Sequence, residues 1–289
     1  MIIYHGENLN KIFGSDIASL ETIYAAEGLK PCCRHPISVE KIILVEKFCK
    51  KHNLHVVLSD RYFILKHDKE KGNFSNRIET VDKKLKNSSC FVYISKVKKV
   101  AQYAKYLDFS QEGAPYLGKL LGYPDCCIKF YCNYSEVALK NKFDFVLLCK
   151  ERVNLGKIKN HSFYNNYFLR YFDITLLDHF PCSLDCKDSI NISKKRLAFL
   201  KEKYPRKAEF MERALKSFVI YTETNGIFYS CNYRQKDNII NFDCLQATVK
   251  NNLFHSLQRS KNLRIVSYDK VIFGGLSLEG EGVGAFIFD

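Results

Sequence analysis

No stretch of the chain approaches the roughly 18 consecutive apolar residues that a membrane-crossing helix needs. That reading excludes a helical membrane protein and a membrane partner. The opening residues Met1 to Gly6 run into Glu7 with no basic segment followed by an apolar one, so no secretory signal is expected. Tryptophan is absent, and no internal repeat or low-complexity linker divides the chain. What is present is ordinary globular material: 289 residues with 46% apolar side chains, enough for one large domain or two smaller ones with a buried core. The expectation is a cytoplasmic protein.

That compartment decides how the 12 cysteines are read. Cytosolic thiols stay reduced, so metal ligation, catalysis or simple burial replace a disulfide framework. Burial is the reading for Cys49, Cys90, Cys149, Cys231 and Cys244, which lie in apolar-periodic segments. Cys32-Cys33, bracketed by Pro31 and Pro36, has no matching partner segment and reads as a buried turn.

Acidic residues are the scarcer sign, 31 against 45 basic, for a net charge of +14. An anionic small molecule or a nucleic acid is the partner this excess would attract. Arg152, Lys157, Lys159, Lys194, Lys195 and Arg196 flank the main cysteine segments as either an anion-attracting rim or a solvated face. Gly274-Gly275 and Gly280 to Gly284 lack the Lys-Ser/Thr of a phosphate loop and read as β-turn glycines.

The periodicity predicts an α+β fold: an N-terminal mixed α/β domain over residues 1–110, a central helical segment carrying a Cys/His site over 111–216, and a β-rich C-terminal part over 217–289. In the first part, a short amphipathic turn around Ser15 to Ala26 precedes a loop from Gly28 to Pro36 and a helix from Ser38 to Lys51. His55 to Leu58 and Tyr62 to Leu65 read as a hairpin joined by Ser59-Asp60-Arg61, and His67 to Asn87 as a solvated loop. A strand over Cys90 to Ile94 and a helix over Val97 to Leu107 follow. Beyond the site, Ser135 is expected to cap a helix containing Phe143, Val146 and Leu147, and residues 151–162 to form a loop. Ser193 is expected to open a further helix, and Pro205 the one after it. Asn225-Gly226 marks a hairpin, with strands at Ile239 to Phe242, Arg264 to Tyr268, Val271 to Phe273 and Ala285 to Phe288, as a curled sheet or small barrel.

The chemistry concentrates in two segments, Gly122-Tyr123-Pro124-Asp125-Cys126-Cys127 and His179-Phe180-Pro181-Cys182-Ser183-Leu184-Asp185-Cys186. A helix beginning at Pro124 puts both thiols in its first turn, where the dipole favours anionic sulfur, the form that ligates metal. Adjacent helical residues point about 100° apart, so both can serve one centre only in an irregular turn. His179, Cys182 and Cys186 are spaced to converge, and Cys126, Cys127, His179, Cys182 and Cys186 become the candidate ligands. An iron–sulfur cluster is preferred, with zinc as the alternative. A metal-free thiol site, or cysteines that merely fill core gaps, remain the other readings. Asp125 and Asp185, each beside a key cysteine, are the candidate proton carriers, against turn or cap roles. The aromatic block Tyr164 to Phe172 either lines a pocket, stacks bases or packs in the core, the last being favoured.

Over Pro115 to Ser189 the sequence resembles an uncharacterised prokaryotic protein family with GYP-x-C-C and H-x-P-C-x-x-x-C motifs. The resemblance implies that the two segments belong together and carries no activity with it. The functional expectation is a metalloprotein enzyme using a cysteine-ligated iron–sulfur or zinc centre for sulfur-transfer, redox or hydrolytic chemistry on an anionic substrate. Its rival is a non-enzymatic nucleic-acid-binding module with a structural metal.

Overall fold

A computed structural model describes residues 2–72, 77–82, 85–140, 145–146, 148 and 158–289. Cys149, Arg152, Lys157, Phe143, Leu147 and the first part of the loop expected over 151–162 lie outside the described residues. The chain is α+β and divides into two compact units, Met1–Lys66 with Ser75–Phe143, and His67–Phe74 with Asp144–Asp289.

The first unit opens with a small ladder of β1 (Ile3–Tyr4) and β2 (Glu7–Asn8), then α1 (Leu9–Phe13) and α2 (Asp16–Ala26). Ser15 caps α2 by accepting the Ala18 N–H at 3.0 Å. Its residues Ala18 to Ala26 are all buried, Ser19, Glu21 and Thr22 among them, so the helix is covered on all sides and not amphipathic as expected. An antiparallel sheet follows, in the order β3 (Cys33–Ser38), β6 (Ser89–Ser95), β4 (His55–Lys66), β5 (Arg77–Val81), with α3 (Ile42–Lys51) between β3 and β4. The loop expected over Gly28 to Pro36 is corrected at its end: residues from Cys33 onward form β3. Pro36 is tolerated there because β3 is an edge strand, where one side of the backbone has no ladder to complete.

Ser59-Asp60-Arg61 is not a hairpin turn but a bulge within the single strand β4. Leu58 pairs with Val92 and Tyr62 with Cys90, both on β6, so the strand pieces share a partner instead of pairing with each other. Ser59 stabilises the bulge by accepting the Arg61 N–H at 3.0 Å. The expected solvated loop from His67 to Asn87 also contains β5, paired along β4, and a buried Lys71 beneath Tyr221. α4 (Lys98–Phe109) and α5 (Ala114–Leu120) cover the sheet through Tyr93, Ala101, Ala104, Leu107, Leu117 and Leu121. α6 (Asp125–Lys140) runs straight through Ser135, whose hydroxyl donates to the Cys132 carbonyl, so no new helix starts there.

In the second unit two five-stranded sheets enclose one core. The first has the order β12 (Gln246–Ala247), β9 (Gly226–Ser230), β8 (Phe218–Thr222), β16 (Val283–Phe288), β7 (Asn160–His161). The second is a meander of β10 (Tyr233–Lys236), β11 (Ile239–Phe242), β13 (Asn262–Ser267), β14 (Lys270–Phe273) and β15 (Leu276–Glu279). Phe218, Ile220, Phe228, Ala285 and Ile287 meet Ile240, Phe242, Ile265, Val271 and Phe273 in that core. Two stacked sheets thus replace the single curled sheet or barrel. The β8–β9 hairpin closes with Thr222 opposite Gly226, and Gly274, Gly275 and Gly280 have positive φ in strand connections, as expected of turn glycines, whereas Gly284 is a strand residue paired with Tyr221. The aromatic block packs on β16: Phe168 lies 4.6 Å from Phe286, ring to ring. α7 (Lys187–Lys203) is followed by α8 (Pro205–Leu215), and α9 (Asn252–Ser260) was not foreseen. Ser193 is buried inside α7, whose cap is Cys186. Among the described residues no helix is long and apolar enough to cross a membrane.

Candidate metal centre

The Gly122 to Cys127 stretch is a corner between two helices. α5 ends with the Gly122 N–H on the Lys119 carbonyl and the Tyr123 N–H on the Gly118 carbonyl, both at 3.0 Å. That crossed pair closes a helix around a left-handed residue. Gly122 has φ 76°, and a Cβ on it would stand 3.3 Å from Lys30 Cβ. Tyr123 lies against Lys30, whose ammonium is buried on Glu21 at 3.1 Å. The Pro124 carbonyl then accepts the N–H groups of Cys127 and Ile128 at 3.0 and 2.9 Å, which starts α6. The two helices meet closely because Gly118 lacks a side chain; a Cβ there would be 2.8 Å from Ile128 Cγ1.

Cys126 and Cys127 occupy the first turn of α6 with their sulfurs 3.8 Å apart. Side-chain rotation brings them together without an irregular turn, which corrects the expectation drawn from the 100° step. Cys127 is buried and Cys126 partly so.

The second segment bends at His179 and turns at Ser183 to Cys186, where the Cys186 N–H reaches the Ser183 carbonyl at 3.2 Å. Asn165 pins that turn by donating to the carbonyls of Ser183 and Leu184 at 2.9 and 2.7 Å. Cys186 caps α7, so the Ile190 N–H bonds its carbonyl at 3.0 Å.

Cys126, Cys127, Cys182 and Cys186 are a group of thiols that could hold a metal ion. His179 is not one of the four. Its Nε2 is 2.8 Å from Ser189 Oγ, and the Ser189 hydroxyl donates to Cys186 Sγ at 3.3 Å. For that hydroxyl to donate to sulfur, Nε2 carries the proton it shares with Oγ. Nδ1 faces Asp178 at 3.5 Å, and Asp178 is clamped by Arg196 through two hydrogen bonds of 2.9 and 3.0 Å. Burial pushes the His179 imidazole below its ordinary range, against the opposing pull of Asp178. Arg196, read from sequence as rim or solvated face, is therefore a buried structural cation.

Sequence reasoning missed Ser189, read Arg196 as rim or solvated face, and weighed Asp178 as a carboxylate partner of His179 but kept only His179 as a candidate. A signal existed: Ser189, Ser193, Leu197 and Leu200 are all buried on α7, and polar residues sharing an apolar helical stripe announce buried hydrogen bonding.

Asp125 is exposed and 3.6 Å from Lys119. Asp185 meets Lys159 Nζ at 2.6 Å and His161 Nδ1 at 3.3 Å. Partial desolvation raises the Asp185 pKa, but those two hydrogen bonds outweigh it and hold the carboxyl below its usual value. His161 in turn reaches Tyr268 OH at 3.2 Å. Lys194 and Lys195 are exposed. Cys32, Cys33, Cys49 and Cys90 are buried as expected, whereas Cys231 is half-buried and Cys244 exposed because both fall in strand connections.

Residues 77–216 match the model of a family described as a protein of unknown function (DUF483). This part of the chain is similar to an uncharacterised family. The match includes both cysteine segments. No curated protein and no solved structure matches the chain.

Proposed function

We propose that Cys126, Cys127, Cys182 and Cys186 bind a single metal ion as four thiolates and that this centre is structural. The 3.8 Å between the Cys126 and Cys127 sulfurs supports it. A tetrahedral ion with metal–sulfur bonds near 2.3 Å separates its sulfurs by about 3.8 Å. A cluster interposes several iron and sulfide atoms and spreads its thiolates more widely. Zinc therefore moves ahead of the iron–sulfur centre that the residue types alone favoured. Four protein thiolates complete a tetrahedron and leave no position for water or substrate, which is the arrangement of structural zinc.

The enzymatic reading, with sulfur-transfer, redox or hydrolytic chemistry on an anionic substrate, draws its support from access. Cys126 and Cys182 are only partly buried, so an incoming reagent meets these sulfurs before Cys127 or Cys186. Such chemistry requires one thiolate to leave the metal or three to suffice.

Metal analysis of protein purified without oxygen tests both readings. The expected result is one zinc per chain and no visible absorption. Brown protein with iron and labile sulfide would replace the single ion by a cluster, and protein free of metal would overturn the proposal. Cys182→Ala is expected to abolish stoichiometric metal.

A further inference from the structure

The outer face of α4 presents aromatic rings and positive charge with no role in the fold. Lys99, Tyr103 and Tyr106 follow one another at i, i+4 and i+7, which places them on one stripe of the helix. Ala101, Ala104 and Leu107 take the opposite side and fill the core. Tyr103 is 49% and Tyr106 65% exposed, and their rings lie within 12° of parallel with centroids 6.1 Å apart. Tyr116, 58% exposed, stands on α5, which packs against α4. Isolated exposed aromatics are ordinary, but an aligned pair with a third ring on the adjoining helix forms a contact surface.

The charge of this face selects the partner. Lys96, Lys98 and Lys99 are exposed at its leading end. The one carboxylate of α4, Asp108, is drawn away from the face to Arg34 and Tyr93, each at 2.5 Å. Lys105 is held by Asp60 at 2.7 Å, and the first acidic residue beyond α4 is Glu112, in the connection to α5. A surface whose helical positions expose tyrosine, lysine and glutamine but no acid complements a polyanion carrying flat apolar groups.

We propose that this face is a stacking platform for single-stranded nucleic acid. Unpaired bases stack on tyrosine rings while the phosphates follow the lysines, an arrangement that tolerates any sequence because every base has a π-face. A duplex hides its base faces and can engage the lysines alone. The proposal is independent of the metal centre, since none of its residues belongs to that site.

Fluorescence anisotropy of the 289-residue chain with labelled oligouridine, oligothymidine and a duplex of equal length provides the test. Single strands are expected to bind more tightly than the duplex, and affinity to fall steeply between about 50 and 200 mM salt. Tyr103→Ala/Tyr106→Ala should weaken single-strand binding by about tenfold or more, from stacking worth roughly 1–3 kcal/mol per base. Tyr103→Phe/Tyr106→Phe should retain it, and Lys98→Gln/Lys99→Gln should flatten the salt dependence. Adding oligodeoxyuridine, which differs from oligouridine only in the sugar, reports whether ribose matters, and tighter binding of any single strand than of the duplex supports the platform. Absence of binding at low salt would overturn the proposal. So would wild-type affinity in a tyrosine-to-alanine variant whose circular dichroism and melting are unchanged, or a preference for duplex.

Discussion

At the scale of single residues, the support behind Cys186 is a buried chain of polar groups running from Arg196 through Asp178, His179 and Ser189 to the sulfur. Arg196 and Asp178 satisfy each other as a buried ion pair, and the guanidinium also donates to the Leu176 carbonyl at 2.8 Å. Removing one partner of such an ion pair strands the other charge, whereas replacing both need not be costly. Arg196→Met is therefore expected to lose about 3–5 kcal/mol of stability in urea titration. Asp178→Asn/Arg196→Met should recover much of that loss; a double variant as unstable as the single one would show that packing, not charge, dominates. Ser189→Ala should leave the metal stoichiometry unchanged while Cys186→Ala removes the metal, because the serine only orients the sulfur. Little of this chain was legible beforehand. His179 was visible by its residue type and its pairing with Asp178 was conceivable, but adjacent side chains need not face each other, and Arg196 looked like one basic residue among several.

At the scale of elements, the sequence was most readable where local chemistry sets the outcome. Pro205 at the start of α8, the Asn225-Gly226 corner and the apolar run of β6 each depend on a few neighbouring residues, and each appears as expected. Readings that depended on distant partners were less secure. Ser59-Asp60-Arg61 has turn chemistry, yet β6 is long enough to pair with both flanking pieces and converts the turn into a bulge. The cysteine corner lies between these cases, because its glycine and proline act locally while its fit against Lys30 does not. Gly122 and Gly28 separate the two contributions, having nearly the same left-handed backbone, φ 76° and 77°. Nothing lies within 4 Å of a Cβ at Gly28, whereas one at Gly122 meets Lys30. Gly28→Ala should cost only the backbone penalty of about 1–2 kcal/mol. Gly122→Ala should cost measurably more in thermal melts, and equal losses would remove Lys30 from the account of this corner.

At the scale of the whole molecule, the +14 charge speaks to partners and says nothing about which groups limit stability, which burial decides. In the first unit burial pushes the thiol of Cys32 from about 9 up to about 11 and that of Cys49 up to about 12, since a thiolate there would be desolvated. In the second unit burial raises Tyr229 and Tyr233 to about 12. Each of these groups keeps its proton in the folded state at a pH where the unfolded chain has begun to release it. The folded state then binds more protons, so stability falls as pH rises. The cysteine contribution is fully present below pH 9 and is lost between about 9 and 12. His161 acts in the opposite direction: burial lowers its pKa from 6.5 despite hydrogen bonding to Asp185, so the unfolded chain binds the extra proton and stability falls as pH drops below about 6.5. Urea midpoints measured under reducing conditions should accordingly hold steady between about pH 7 and 8.5 and decline on both sides. Cys49→Ala should soften the alkaline decline without touching the acid one. An alkaline limb unchanged by that substitution would assign the decline to Cys32 and the tyrosines, and a midpoint still rising at pH 10 would contradict the buried-thiol account altogether.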